Sequence, residues 1–238
     1  MRRLLVFLPL LLLAACSVQE QEISLPAQVL SAAGVARLNL DVNVGRVSIT
    51  PSTDGQVHVA LSLKPSSSFF GMFTNGASVT ALQHAAITHS LDNGVLTLGV
   101  QYPAHTDSSD ISEHWSVALP AAAAITGHVN VGDLNISGIA GGVDVNMNVG
   151  KVQLDVPAGP LKVSANVGKI QATARSLNYS AIALGAGVGE TSMTVEGVSA
   201  GDVRKTGAGQ NLNYKLNGAS SINLQVTTGA VTLALYSH

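Results

Sequence analysis

Charged residues are scarce in this chain of 238 residues, in which Asp, Glu, Lys and Arg together make up 11%. There are 12 basic and 14 acidic residues, for a formal net charge of −2, and no basic patch with interleaved aromatic residues occurs. Nucleic-acid binding depends on basic side chains that neutralise the phosphate backbone. The composition therefore predicts that the chain has no nucleic-acid partner.

Catalytic and cofactor-binding motifs are also missing. No nucleophile elbow accompanies the Ser, His and Asp residues, and the chain has neither a GxxxxGK[ST] loop nor a GxGxxG fingerprint in a strand–helix setting. His105, Asp107, Asp110, Glu113 and His114 lie within ten residues, but no pair of them has a familiar metal-ligand spacing. We therefore predict no catalytic residues, no cofactor and no metal site.

The longest apolar run is too short to cross a membrane, and it has the layout of a secretory signal. Arg2 and Arg3 precede the run, which extends from Leu4 to Ala15. A helix that spans a bilayer needs about 20 such residues. Residues 1–15 are therefore predicted to be a signal peptide that is cleaved.

Cysteine occurs once, at Cys16. The sequence LAAC that ends there resembles the lipobox of bacterial lipoproteins, in which the cysteine is acylated and becomes the first residue of the mature protein. A mature chain lipidated at this position would contain neither a disulfide nor a free thiol. Ser17 follows, and the resemblance implies sorting to the outer membrane. We expect attachment to the membrane through a lipid such as palmitate at Cys16, and a location in the cell envelope.

A short unit recurs along the chain. Its clearest copies are LDVNVGRVSI at 40–49, HVNVGDLNI at 128–136, MNVGKVQL at 147–154 and ANVGKIQA at 165–172, and weaker copies are AGVGETSMTV, TGAGQNLNY and TTGAVTLAL. From Gly132 onward, the glycines of successive copies are Gly150, Gly168, Gly189, Gly209 and Gly229, so their spacing is nearly constant. A nearly fixed interval of about 20 residues indicates stacked repeats.

Within each copy, apolar and polar residues alternate with the period of a β-strand. Val152 and Leu154 follow this pattern, which resumes at Leu161 after the turn-forming sequence PAGP. Val149 and Val152 are three residues apart, so the strand must change phase between them, and Gly150 permits the corner that this requires. The predicted fold is all-β, a single-stranded β-solenoid or flattened β-roll with rungs of about 18–21 residues. The rungs must stack, because one alone buries too little apolar surface to fold.

The corner residues of the rungs are predicted to have a structural role. Stacking would place equivalent residues about 4.8 Å apart, where asparagine amides can bond to one another or to the corner backbone. The asparagines of this column are Asn43, Asn130, Asn148 and Asn166, and the corner glycines are Gly45, Gly132, Gly150, Gly168, Gly189, Gly209 and Gly229.

The strand end VALP at 117–120, followed by rungs of the type VNVGDLNISGIAGGVDVNMNVGKVQL, resembles a family of bacterial β-strand-repeat adhesin-like domains with no established activity. The resemblance covers residues 35–236 and implies a β-solenoid without implying a known ligand. The copy TGAGQNLNY departs from the pattern, because its apolar phase is one residue late. A bulge is predicted there.

The predicted organisation is a signal peptide at 1–15, a lipid-anchored linker at 16–34, and a β-solenoid domain at 35–238 with an irregular insertion at 64–84. The insertion contains a Phe-rich segment, which we define as Phe69, Phe70, Met72 and Phe73. Two interpretations of this segment stay open: an apolar contact for a partner, and a cap over an open end of the solenoid.

These features predict a non-catalytic cell-envelope lipoprotein, an adhesin or a binding or scaffold module whose partner is a glycan or an envelope protein. Two alternatives remain. One is a carbohydrate-active enzyme on a β-helix, which would need acids, bases or a metal in one groove. The other is an accessory protein that binds a periplasmic partner through the Phe-rich segment. The last strand, VTLALYSH at 231–238, has no later segment to cover it, so either the earlier irregular loop folds over it or another copy covers it by end-to-end association.

Overall fold

The computed structural model describes residues 22–65, 82–106, 108–200 and 202–237. Within these ranges fifteen strands form one open, mixed sheet, so the protein is all-β, as predicted. Cys16, the signal peptide and the Phe-rich segment lie outside the described residues.

The strands run through the whole described chain. In chain order they are β1 (Ile23–Ser24), β2 (Gln28–Leu30), β3 (Arg37–Pro51), β4 (Val57–Pro65), β5 (Ala86–Asp92), β6 (Val95–Gln101), β7 (Ile111–Leu119), β8 (Ala124–Ser137), β9 (Val143–Val156), β10 (Leu161–Ala174), β11 (Tyr179–Val195), β12 (Val198–Ser199), β13 (Asp202–Thr206), β14 (Gly209–Lys215) and β15 (Ser220–Leu235). A short 3-10 turn at Ser108–Asp110 precedes β7.

Six of these strands are long and carry a glycine near the middle. They pair in parallel in the order β3, β8, β9, β10, β15, β11. Their register aligns Gly45, Gly132, Gly150, Gly168, Gly229 and Gly189 in one column. Strands β8, β9 and β10 come from successive copies of the repeat, and each residue pairs with the residue at the same position of the next copy. Equivalent positions of the repeat are therefore direct neighbours in the sheet.

Each long strand changes the face that it buries at its glycine. In β9, alternate residues from Val143 to Met147 are buried, and burial resumes in the opposite phase from Val152 to Val156. Both halves contribute to a single, largely aliphatic core. The predicted phase change is confirmed, but it spans four residues. Val149, which the pattern placed inside, is 45% exposed, since the corner turns its side chain outward.

Glycine is required in the column for two reasons. The φ angles lie between +133° and +156°, a region that residues with a Cβ rarely adopt. The neighbouring strand is also too close: a Cβ on Gly150 would stand 1.8 Å from the carbonyl oxygen of Gly132, and one on Gly168 would stand 1.8 Å from that of Gly150. A side chain at any of these positions would force adjacent strands apart.

The order of strands in the sheet differs from their order in the chain. The C-terminal strand β15 lies between β10 and β11, so Gly229 is the neighbour of both Gly168 and Gly189. Gly209 is not a corner glycine, which corrects that prediction. It begins β14, which pairs antiparallel with β11 and with β13. The copy TGAGQNLNY is therefore a hairpin, and its late apolar phase reflects an antiparallel strand rather than a bulged rung.

In the N-terminal part, too, the order of strands in the sheet differs from their order in the chain. Strand β3 lies between β8 and a rung made of β6 and β7, and β7 pairs antiparallel with β4. Strands β1 and β2 pair with β4, and Ile23 and Leu25 are buried, so the folded domain begins earlier than the predicted residue 35. Strand β4 also includes Lys64 and Pro65, which were assigned to the insertion.

The ends of the sheet are formed by antiparallel strands. Because β15 has partners along both edges, the premise that the last strand is uncovered is wrong. At one end, β13 and β14 follow β11. At the other, β5 and β6 form a hairpin whose turn residues Asn93 and Gly94 have φ angles of 48° and 80°. End-to-end association stays a prediction, and it no longer has β15 as its basis.

One core position invites a stabilising substitution. Thr191 is only 5% exposed, its hydroxyl has no hydrogen-bond partner among the described residues, and its neighbour in the core column is Val231. We expect Thr191→Val to raise the free energy of unfolding by about 1 kcal/mol, because valine has the same shape without an unsatisfied hydroxyl. Urea denaturation measures the change. Thr97→Val, at an exposed position of β6, should alter stability by less than about 0.5 kcal/mol, and an equal gain there would contradict the explanation.

Candidate functional site

The four predicted asparagines form a hydrogen-bonded ladder beside the glycine column. The Nδ2 of Asn130 donates to Asn43 Oδ1 at 2.9 Å, that of Asn148 to Asn130 Oδ1 at 2.6 Å, and that of Asn166 to Asn148 Oδ1 at 2.8 Å. The ladder crosses β3, β8, β9 and β10 at the same level. On β15 the equivalent residue is Thr227, between Val226 and Thr228, so the ladder of amides stops at Asn166.

The ladder borders an outward surface that carries few charges. Two residues before each ladder position, the register places Asp41, His128, Asn146, Ser164, Gln225 and Gly185 in one column. Ser164 Oγ donates to Asn146 Oδ1. One column further out, Lys162 Nζ bonds to Asp144 Oδ2 at 3.0 Å. We define the amide face as the ladder together with the outward side chains of the six long strands on the N-terminal side of their central glycines.

The hydrogen bonds of the ladder are expected to stabilise the fold. Asn148 has both of its ladder bonds inside the row, whereas Asn43 has only one, at the end. We expect Asn148→Ala to lower the free energy of unfolding by about 1–3 kcal/mol, because two bonds are lost and two neighbouring amide groups lose a partner. Urea denaturation of Asn43→Ala should show about half that loss. Equal losses for the two variants would contradict the ladder as a cooperative row.

A groove of about 420 Å³ lies where the ladder ends. Strands β10, β11, β14 and β15 form it, and no charged residue is among the described residues that line it. The polar side chains of the lining are Ser164, Asn166, Asn211, Gln225 and Thr227, and its glycines are Gly187 and Gly209. We call this cavity the amide groove.

A second groove, of about 470 Å³, lies at the other end of the ladder and contains Asn43, Asn130 and the acidic residues Asp41 and Glu113. The carboxylate of Glu113 is already engaged. One oxygen accepts a hydrogen bond from the Tyr102 hydroxyl and the other from Trp115 Nε1, both at 2.7 Å. Burial, and then the bond to Glu113, raise the pKa of the Tyr102 phenol. This carboxylate therefore orders the start of β7.

On the C-terminal side of their central glycines, the six long strands present a second row of outward side chains, and this row is uncharged. The register aligns Ser48, Asn135, Gln153, Gln171, Thr232 and Ser192. The side chains of Ser192 and Thr232 lie 3.4 Å apart. This row carries hydroxyl and amide groups, which can bond to a ligand but supply neither acid nor base for bond cleavage.

Neither a metal cluster nor a membrane-spanning helix is found among the residues that the structure describes. No three His, Cys, Asp or Glu side chains there come together as metal ligands. Of the five residues considered as ligands in the sequence, Asp107 and the side chain of Asp110 lie outside the description. Likewise, within that part of the chain no helix is both long and apolar enough to cross a membrane.

Sequence reasoning located the ladder but missed the amide groove. Asn211 and Gln225 belong to copies of the repeat that were read as successive rungs, whereas the structure places their strands on opposite edges of β11. One signal was available: the sequence GAGVG in β11 has glycines where earlier copies carry polar residues.

The fold and surface define a class: an all-β protein whose open sheet presents polar, largely uncharged rows of side chains. No known family profile matches the chain, and no curated protein matches its sequence. Among solved structures it is similar to a "putative cell adhesion protein" from Clostridium sporogenes, at 15% identity and a TM-score of 0.55, over 92% of this chain and all of that one. A "putative adhesin" from Bacteroides fragilis covers 92% of this chain and 95% of its own, at 13% identity and a TM-score of 0.28. The first similarity shows the fold.

Proposed function

We propose that the mature protein is a lipid-anchored, non-catalytic binding module of the cell envelope, of the adhesin type. The observation that carries the proposal is the amide face, where polar and largely uncharged side chains stand in fixed register on paired strands. Fixed register limits the conformational freedom that such side chains lose when they bind a ligand. The fold shared with the Clostridium sporogenes protein, described as a "putative cell adhesion protein", supports the same conclusion.

The architecture that we propose is a flattened β-roll. Three observations support it: the constant offset between the neighbouring rungs β8, β9 and β10, the change of buried face at each corner glycine, and the single core shared by both half-strands. Such a stack buries its apolar side chains between its two faces and leaves both faces free to bind.

The proposed anchor lies close to the folded domain. Glu22 accepts hydrogen bonds from Ser62 and, at 3.2 Å, from His114 Nδ1, and β1 begins at the next residue. Glu22 is the sixth residue after Cys16, and a chain of that length can span at most about 20 Å. Lipidation at Cys16 would therefore hold the β1 end of the domain near the bilayer.

Acylation of Cys16 is tested by metabolic labelling with palmitate. The full-length chain should incorporate the label and fractionate with membranes, whereas Cys16→Ser should do neither, because it lacks the thiol that accepts the lipid. Cleavage without label, or label retained in Cys16→Ser, would contradict the anchor.

Binding is tested with the mature protein immobilised and exposed to outer-membrane vesicles and to purified envelope polysaccharide. Retention of either partner without chemical change supports a binding module. Release of new reducing ends from the polysaccharide would instead favour a carbohydrate-active enzyme, and absence of retention would contradict the proposed function.

A further inference from the structure

The amide groove lies where glycines take the place of residues with side chains. The outward column that holds Asn146, Ser164 and Gln225 ends on β11 at Gly185. Further along β11, Gly187 lines the groove beside Gly209 of β14. The walls thus carry side chains, whereas these two residues offer only backbone to a ligand.

Polar groups in the groove stand without partners among the described residues. Among the described residues, Asn166 donates to the ladder but its Oδ1 accepts no bond, and the side chains of Asn211 and Thr227 make none. Gln225 Nε2 donates to Asn223 Oδ1 at 2.9 Å, and no described residue donates to its Oε1.

Two of these oxygens lie close to Gly185. Gln225 Oε1 and Asn211 Oδ1 stand 2.0 Å and 3.0 Å from the point that a Cβ of Gly185 would occupy. They come from strands on opposite sides of β11, so the glycine allows both side chains to converge over it. Neighbouring acceptors of this kind suit a ligand with closely spaced donors.

The chemistry of the lining limits the class of ligand that the groove can bind. An anion would be matched by basic side chains and a cation by carboxylates, and the described lining of the groove has neither. A peptide could not add to β11 as a strand, because β14 and β15 pair along its two edges beside the groove. Amides and hydroxyls both donate and accept, which complements a ligand rich in hydroxyl groups.

We propose that the amide groove binds a neutral oligosaccharide, with Asn211 and Gln225 as the main hydrogen-bonding residues. This inference rests on the proposed binding function and names its ligand class. In the strand order of the sheet, β11 and β14 lie at the end opposite to β1 and β4. A chain anchored through its N-terminus would therefore carry the groove on the side remote from the membrane.

The test is an NMR titration of the isotope-labelled mature protein with chitotetraose, maltotetraose and cellotetraose at millimolar concentration, with tetragalacturonate as the charged counterpart. At least one neutral sugar should shift the backbone amides of Asn166, Gly187 and Asn211. The double variant Asn211→Ala/Gln225→Ala should weaken that binding at least about tenfold, because two hydrogen-bonding side chains are lost. Both positions are exposed, so the variant should fold, which its spectrum checks.

Gln153→Ala is the matched control, because it removes an exposed amide from the opposite face and should leave the affinity unchanged. Four outcomes would overturn the proposal: no shift with any neutral sugar, shifts confined to other surfaces, equal binding of tetragalacturonate in the groove, or undiminished binding by the double variant. If one of these occurs while the immobilised protein still retains envelope material, the groove assignment fails and the binding function stands.

Discussion

Gly150→Ala is expected to destabilise the protein by about 4 kcal/mol or more, enough to unfold much of the population. Two effects add at this position. The backbone has a φ of +145°, and the new Cβ would stand 1.8 Å from the carbonyl oxygen of Gly132. Because Gly168 packs on Gly150 in the same way, relief of one contact by a shift of β9 would tighten the next. Urea denaturation followed by circular dichroism measures the loss.

Gly55→Ala separates the two effects. Gly55 also has a positive φ, of +71°, but a Cβ there would meet nothing within 4 Å. Its substitution should cost only about 1–2 kcal/mol, the strain of the backbone alone. If both variants lose the same stability, the close approach between corner backbones is not what requires glycine at Gly150.

Removal of β15, by ending the chain after Leu216, is expected to abolish cooperative folding. The strand contributes six buried side chains, namely Ile222, Leu224, Val226, Val231, Leu233 and Leu235. At about 1.5–3 kcal/mol each, their burial is comparable to the whole stability of a domain, about 5–15 kcal/mol. The truncation would also separate β10 from β11, since β15 is the partner that joins them. Thermal unfolding followed by circular dichroism measures the loss of a transition.

Two controls make this result specific. Ending the chain after Tyr236 removes only residues beyond β15 and should preserve the unfolding transition. A synthetic peptide of residues 217–238, added to the truncated chain, should restore the fold, because the gap between β10 and β11 accepts the strand from both sides. If the truncated chain still unfolds cooperatively, at a slightly lower temperature, β15 would instead lie at an end of the sheet.

The local features of the repeat were readable from the sequence. Alternation identified the buried side chains of β9, such as Val152 and Leu154, because one face of each half-strand packs into the core. The recurring NVG sequence located the corner, since only glycine tolerates both its φ and its close neighbour. The asparagines were grouped correctly as well, because stacked rungs bring equivalent residues together.

The errors concern positions that depend on more than one rung. Val149 is apolar, and alternation placed it inside, yet it occupies the outer side of a corner and is 45% exposed. Gly209 has the spacing of a corner glycine, but its strand runs antiparallel to β11. Residues Ile23 and Leu25 gave no repeat signal, although they are buried beside β4.

The sequence by itself determined which residues form strands, which side of each strand is buried and where the corners fall, because these follow from local period and from the demands of glycine. The tertiary structure alone decided the order of the rungs. Every rung offers its neighbours the same apolar columns and the same corner, so a strand can pair with any other and local pattern does not specify which. Only the assembled sheet, in which β15 lies between β10 and β11 and β14 pairs with the other edge of β11, brings Gln225 beside Asn211 and forms the amide groove.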